Sequence, residues 1–594
     1  MDISIFNGKY LKKTNPLIFS TVRTAENVEH LRERLTNLSV DLENKAIEDA
    51  AQQDAGFFAR IKGCASAFRN ILKKSSDEAA GFSVAQAIWD IGHDLPRHDL
   101  SPAFHAELLF LLLGIQGHGP RKALDSIHLT AIESSGRKAA RERSRQLDDL
   151  WAEVDRIMAR YPCGLDDAAI LRRIKRRDKI LKVLDASLDE WYDWRWHIRH
   201  IVREPEQVEQ LVRLTGPQKK AIRAARQNNL PFGITPYYLS LMDDEVSDRD
   251  AAIRAQVIPP LSYVKGVAAI NDPASMDFMG EEDTSPFDLI TRRYPAICIL
   301  KPYNTCPQIC VYCQRNWEID DAMAKGAFAG MNQIDQALQW IHDHPSIHEV
   351  LITGGDPLAM GNQAIAEILE KVAAIPTVER IRIGTRTIVT MPMRITESLA
   401  AIIGSYREPG KREVAVISHV QHPYEITPEL TAAVDKFRRR GIPVYNQLVY
   451  TFYCSKRFEA STLRRYLRLV GIDPYYTFNT KGKDETKTYR VPIARLLQEQ
   501  QEEARLLPGL ARTDEAVFNV PRQGKNYLRD KEYRNFLSIL PDGARVYEFH
   551  SWEKKVSRET KPYVASDVPI LDYLERLKSA GESISDYETI WYYY

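Results

Sequence analysis

From residue 290 onward, short apolar runs alternate with amphipathic stretches, and this alternation restricts the possible fold more than any other feature of the chain. The runs are AICIL (296–300), EVLIT (349–353), RIRIG (380–384), VAVISH (414–419), PVYNQLVY (443–450) and PYYTFN (474–479). They are rich in Val, Ile and Tyr and too short to be helices. Helical segments separate them. In TPELTAAVDKFRRRG, Leu430, Ala433, Val434 and Phe437 make one apolar face, Thr427 is placed to cap the start and Gly441 to end it. Six such units predict a parallel sheet that curls into a full or partial barrel. The C-terminal strand ends carry the site in barrels of this type. Here those ends hold a cysteine loop, Gly354-Gly355-Asp356, Thr385-Arg386, His419 with His422, Asn446-Gln447 and Asn479 to Lys481.

The loop after the first run, TCPQICVYCQRN, contains Cys306, Cys310 and Cys313 spaced Cys-x3-Cys-x2-Cys. Three thiolates on one loop suit three irons of a [4Fe-4S] cluster and leave the fourth iron open to a small molecule. Structural zinc, the alternative, usually takes four ligands in pairs. The chain has seven cysteines, an odd number with no pairing pattern, which argues against a secreted disulfide framework and points to a reducing cytoplasm. No run of about 18 apolar residues is present, so no membrane span is expected. With 81 basic and 80 acidic side chains the net charge is +1, which offers no global attraction to nucleic acid or membrane.

At 594 residues the chain is too long for one ordinary core. Residues 25 to 185 show helical periodicity, as in RQLDDLWAEVDRIMARYP, where Leu147, Leu150, Trp151, Val154 and Ile157 recur at threes and fours. No catalytic cluster is visible there, and the basic run from Arg172 to Lys182 reads as a solvated helix face. The expected division is a helical N-terminal domain (1–185), a helical lead-in (186–285), the barrel (286–485) and a C-terminal segment (486–594).

The cysteine loop and the Gly-Gly-Asp after the second strand resemble the radical S-adenosylmethionine (SAM) superfamily. WYDWRWHIRH (191–200), ITPYYLSLMD (234–243), EDTSPFDLITRRYP (282–295), LITGGDPL (351–358), RIRIGTRTIVTMPMRIT (380–396), QHPYEIT (421–427) and VPRQGKNY (520–527) resemble, more narrowly, the lysine 2,3-aminomutase family. The resemblance covers residues 190 to 555 and implies an α/β fold, a partial (β/α)6 barrel of radical SAM type, here with an additional all-helical N-terminal domain. It also implies a [4Fe-4S] cluster on Cys306, Cys310 and Cys313, and SAM near Gly354, Gly355, Asp356, His422 and Gln447. Lys525 matches the family lysine that holds pyridoxal 5'-phosphate (PLP) covalently, in a loop one residue shorter than in relatives. Arg315 matches the arginine that binds the substrate α-carboxylate. Arg292, Arg293 and Tyr294 resemble a PLP-facing segment in which Ile297 replaces a second arginine.

Substrate choice turns on two departures. Where lysine-specific relatives use two aspartates for the distal ammonium, this chain has Lys481 and Asn519. A cation and an amide suit a distal carboxylate, as expected of the glutamate 2,3-aminomutase branch. The implied function is a radical isomerase that interconverts L-glutamate and β-glutamate (3-aminoglutarate): hydrogen is taken from Cβ and nitrogen migrates from Cα to Cβ. The alternatives are an aminomutase for lysine or another amino acid and, more remotely, a non-catalytic iron-sulfur scaffold. The expected partners are an amino acid and a reductant such as flavodoxin or ferredoxin, with homo-oligomerisation compatible and neither nucleic acid nor membrane involved.

Overall fold

A computed structural model describes residues 3–49, 55–120, 135–270, 276–480, 484–552 and 561–594. Among the described residues, twelve strands form two sheets. The larger contains β1 (Ile290–Tyr294), β2 (Ile297–Tyr303), β3 (Glu349–Gly354), β4 (Arg380–Gly384), β5 (Glu413–Ser418), β6 (Val444–Tyr450), β7 (Ile472–Asn479), β8 (Glu515–Val520) and β9 (Gly524–Tyr527), in sequential order. β2 to β8 are parallel, while β1 and β9 pair antiparallel at the two edges. The six expected strands are β2 to β7. EAVFNV adds β8 as a seventh parallel strand, and the result is a nearly closed, barrel-like sheet.

Alternation along the strands separates adhesion from chemistry. Cys298 and Leu300, Val350 and Ile352, Ile381 and Ile383, and Val414 and Val416 are buried on the outer face. They pack under helices such as Met331–His342, Asn362–Ala373 and Pro428–Arg438, which bury apolar stripes of their own. Each such side chain contributes about 1.5–3 kcal/mol, so the outer layer can hold the barrel while the inner face stays free. In Pro428–Arg438 the buried stripe is Leu430, Ala433, Val434 and Phe437, the Thr427 side chain accepts from Leu430 N–H, and Gly441 follows at φ 69°. At the N-terminal end of the strands, Arg380 joins Glu349 (2.8 Å) and Glu413 (2.6 Å), and Arg382 joins Glu349 (2.6 Å). These pairs close one end and leave the opposite mouth for the strand-end loops.

The smaller antiparallel sheet comprises β10 (Arg534–Ile539), β11 (Arg545–Phe549) and β12 (Tyr563–Ser566). The N-terminal helices and the C-terminal tail share one apolar core with the barrel. Phe110 stacks on Trp591 at 4.6 Å, and a Cβ at Gly63 would lie 2.6 Å from Tyr593 O.

Two local expectations are corrected. The run from Arg172 to Lys182 is not simply a solvated face. Arg173 and Arg176 are buried, with Arg173 on Glu429 (3.0 Å) and Arg176 donating to Met242 O and Leu211 O (3.1 Å each). A guanidinium is tolerated there because carbonyls and carboxylates from other elements meet it. Conversely, Leu147 and Trp151 on Gly136–Met158 are exposed while Val154 and Ile157 are buried, because only the C-terminal part of that helix enters a core.

Candidate functional site

The cysteine loop leaves the C-terminal end of β2, and the end of β3 holds it in place. Gly355 N–H donates to Tyr303 O (2.7 Å) and Asp356 N–H to Thr305 O (2.9 Å). Gly354 has φ +109°, a region that disfavours side chains. A Cβ at Gly355 would lie 2.1 Å from Thr305 O, so glycine is required for this approach. The buried Asp356 carboxylate accepts from Leu358 N–H (3.1 Å), Thr385 Oγ1–H (2.7 Å), Arg386 N–H (2.8 Å) and Thr387 N–H (2.8 Å). It thereby ties the end of β4 to that of β3.

None of the three loop cysteines is held in a disulfide. Burial pushes the Cys306 thiol well above its ordinary value, with smaller contributions from Asp356, Cys313 and Cys310, so the three sulfurs are electrostatic neighbours. Among the described residues, no three His, Cys, Asp or Glu side chains converge as a single metal ion requires. Three thiolates from one loop are the donor set of a [4Fe-4S] cluster with one open iron, whereas structural zinc takes four ligands. Cations would relieve the cost of ionising three adjacent, partly buried thiols. Arg386 Nη1 donates to Cys310 Sγ at 2.7 Å. The sequence shows Arg386 only as a polar residue at a strand end, because its partners Tyr238, Gln256 and Glu425 come from distant segments.

A second group of residues faces the lumen from the other side of the mouth. Lys525 on β9 lies directly opposite Asn519 on β8. Its Nζ stands 5.3 Å from the Tyr294 ring centroid, 5.6 Å from Tyr476 and 5.9 Å from Trp552. Three aromatic walls around one amine make a slot suited to a planar pyridine ring held covalently at its end. Asn519 Nδ2 donates to Gln314 Oε1 (3.4 Å), which links β8 to the cysteine loop. Next to Gln314, Arg315 donates through Nε to Glu281 Oε1 (2.9 Å). Lys301 Nζ lies 3.7 Å from both Glu281 and Glu318. Asn519, opposite Lys525, is thus tied through Gln314 to the loop that carries Cys313 and Arg315.

A family model of the radical SAM superfamily matches residues 300–453. The chain is 42% identical over 603 residues to an uncharacterised KamA family protein of Methanocaldococcus jannaschii, covering 98% of this chain and 96% of that one. It is 28% identical to glutamate 2,3-aminomutase of Clostridioides difficile over 69% of this chain and 90% of that one. Identity to L-lysine 2,3-aminomutase of Clostridium subterminale is 32%, over 54% and 74% of the respective chains. The chain belongs to the KamA family of radical SAM aminomutases. Membership makes it an isomerase of the lysine 2,3-aminomutase type. It brings a [4Fe-4S] cluster and SAM, with PLP as the KamA family's further cofactor.

The remaining expected KamA site residues are placed unevenly. Gln447 lies on the partly exposed lumen face of β6. His422 is buried, its Nδ1 accepting from Tyr424 N–H (3.1 Å) and its Nε2 facing Glu459 Oε1 (3.3 Å), so both ring nitrogens are engaged within the protein. Burial and the Arg386 guanidinium draw the imidazole of His419 down to about 4, which puts this histidine near the arginine that donates to Cys310. Arg292 is turned outward to Pro295 O (2.8 Å) and Ser346 (2.7 Å). Lys481 lies outside the described residues.

Proposed function

We propose that this KamA-family protein interconverts L-glutamate and β-glutamate. Asn519 carries the reading: an amide stands across from Lys525 at the position where the lysine-specific resemblance calls for a carboxylate. An amide does not compensate a buried ammonium, and an uncompensated ammonium is costly. Lys481, assigned by sequence, adds the cation that a side-chain carboxylate requires.

In this reading Cys306, Cys310 and Cys313 hold the cluster, while Gly354, Gly355, Asp356, His422 and Gln447 shape the SAM site. Lys525 holds PLP. Arg315 binds the substrate α-carboxylate through its terminal nitrogens, since Nε already donates to Glu281. When bound, the cluster and SAM supply a primary carbon radical, and PLP supplies the π-bond along which nitrogen migrates. The side chains contribute placement. Arg315 at one end of the substrate and Asn519 with Lys481 at the other determine which C–H bond is presented, and the rings of Tyr294, Tyr476 and Trp552 keep water from Lys525 Nζ.

A second reading, an aminomutase for lysine or another amino acid, is favoured by Glu281 and Glu318, two largely buried carboxylates beside Arg315 and Lys301. Anaerobically reduced protein supplied with SAM, PLP and either L-glutamate or L-lysine distinguishes the two by product chromatography. β-Glutamate is expected, whereas β-lysine without β-glutamate would sink the glutamate reading. Lys525→Ala should lose the PLP absorbance and all turnover while keeping the iron-sulfur absorbance. Failure of the reduced wild-type protein to cleave SAM would favour a scaffold instead.

A further inference from the structure

We propose that Arg386 sets the reduction potential of the cluster by donating a hydrogen bond to Cys310 Sγ. The inference rests on the family's cluster at the three cysteines and is independent of the substrate. Arg386 is only 11% exposed. Nη1 reaches Cys310 Sγ at 2.7 Å, while Nη2 is held by Glu425 Oε1 (2.8 Å), Tyr238 OH (3.3 Å) and Gln256 Oε1. The side chain has little freedom to swing away. Its own backbone N–H and that of Thr387 are fixed by Asp356. Gln256 also accepts from Tyr312 OH (3.1 Å), and its carbonyl accepts from Val311 N–H (2.9 Å), so one residue of the lead-in helix Ala251–Val257 aligns both the arginine and the cysteine loop.

The consequence follows from charge. On reduction the cluster gains one electron from a low-potential flavin or iron-sulfur donor, no bond is broken, and the negative charge on the cluster and its thiolates rises by one. A guanidinium stays charged at any working pH, and a buried charge is weakly screened. An N–H donor and a fixed cation at a ligand sulfur therefore favour the reduced state. Glu425, fully buried on the far side of the guanidinium, opposes this effect. Its removal should act in the reverse direction.

Arg386 Nε is buried without a hydrogen-bond partner among the described residues, so a SAM carboxylate is the competing use for this side chain. Redox titration of reconstituted, SAM-free protein, followed by electron paramagnetic resonance, separates the two. Arg386→Gln should lower the reduced-to-oxidised ratio at fixed poise at least tenfold, equivalent to 59 mV for a one-electron couple. Arg386→Lys, which keeps charge but loses the fork, should fall between wild type and Arg386→Gln. Glu425→Gln should raise the midpoint. General loosening of the loop would not produce shifts of opposite sign from the two halves of one ion pair. An unchanged midpoint in Arg386→Gln with wild-type iron and sulfide content overturns the proposal, as does weakened SAM binding with no shift in potential. If Arg386→Gln fails to retain its cluster, unchanged midpoints in both Arg386→Lys and Glu425→Gln overturn it equally.

Discussion

Gly355 has no room for a side chain, and that single fact couples the GGD loop to the cysteine loop. Its missing Cβ would overlap Thr305 O at 2.1 Å, one residue before Cys306. Backbone rather than a flexible side chain is the obstacle, so an added methyl cannot be accommodated by a rotamer change. Gly355→Ala should destabilise the fold by about 1–3 kcal/mol and lower the iron bound per chain, measured by denaturant titration and iron analysis. Asp356 illustrates the complementary case. A carboxylate that receives four donors from two loops costs less to bury than a free one; it joins the GGD loop to the loop that carries Arg386, while the Asp356 backbone N–H reaches Thr305 O beside Cys306.

At the scale of elements, the segment Leu188–Arg199 carries a pH-sensitive core contact. His197 is buried between Trp191 and Trp196, both 4.9 Å away, donates through Nε2 to Trp191 O (2.7 Å) and leaves Nδ1 without a hydrogen-bond partner. Burial draws its imidazole from the ordinary 6.5 to about 4. The folded chain therefore takes up that proton less readily than the unfolded chain. Between pH 6.5 and about 4 the unfolded state carries more protons, so stability is lost as pH falls through this window. The loss from this one group amounts to about 3 kcal/mol at the acid end. Urea midpoints should fall across that range, and His197→Gln should flatten the dependence.

At the scale of the molecule, a buried charge cluster joins the N-terminal helices to the C-terminal sheet and tail. Glu107, on the helix Pro102–Ile115, accepts from Arg545 Nε (2.6 Å) on β11 and from Tyr593 OH (2.7 Å). Arg545 also donates to Trp591 O (2.7 Å) and Tyr592 O (3.1 Å) and lies 3.8 Å above the Tyr593 ring. Glu107→Ala would leave a guanidinium buried without its counter-charge, and stability should drop by about 3–5 kcal/mol. Denaturant unfolding should also show partial recovery in the double variant E107A/R545M, where neither charge remains.

The strand periods, the helix stripes and the spacing of the three cysteines are local patterns, and the sequence by itself determined the parallel barrel and the cluster loop from them. Cys306, Gly355, Arg315 and Lys525 could be picked out as candidates from the sequence because each lies in a short motif. Arg386, Glu281 and the burial of Arg173 and Arg176 could not. Each depends on partners from other segments of the chain, as Arg315 with Glu281 and Arg386 with Tyr238 and Gln256 show. Only the tertiary structure decided which charges meet, because burial and pairing energies are set by what the folded chain brings within a few ångströms, and no periodicity encodes that distance.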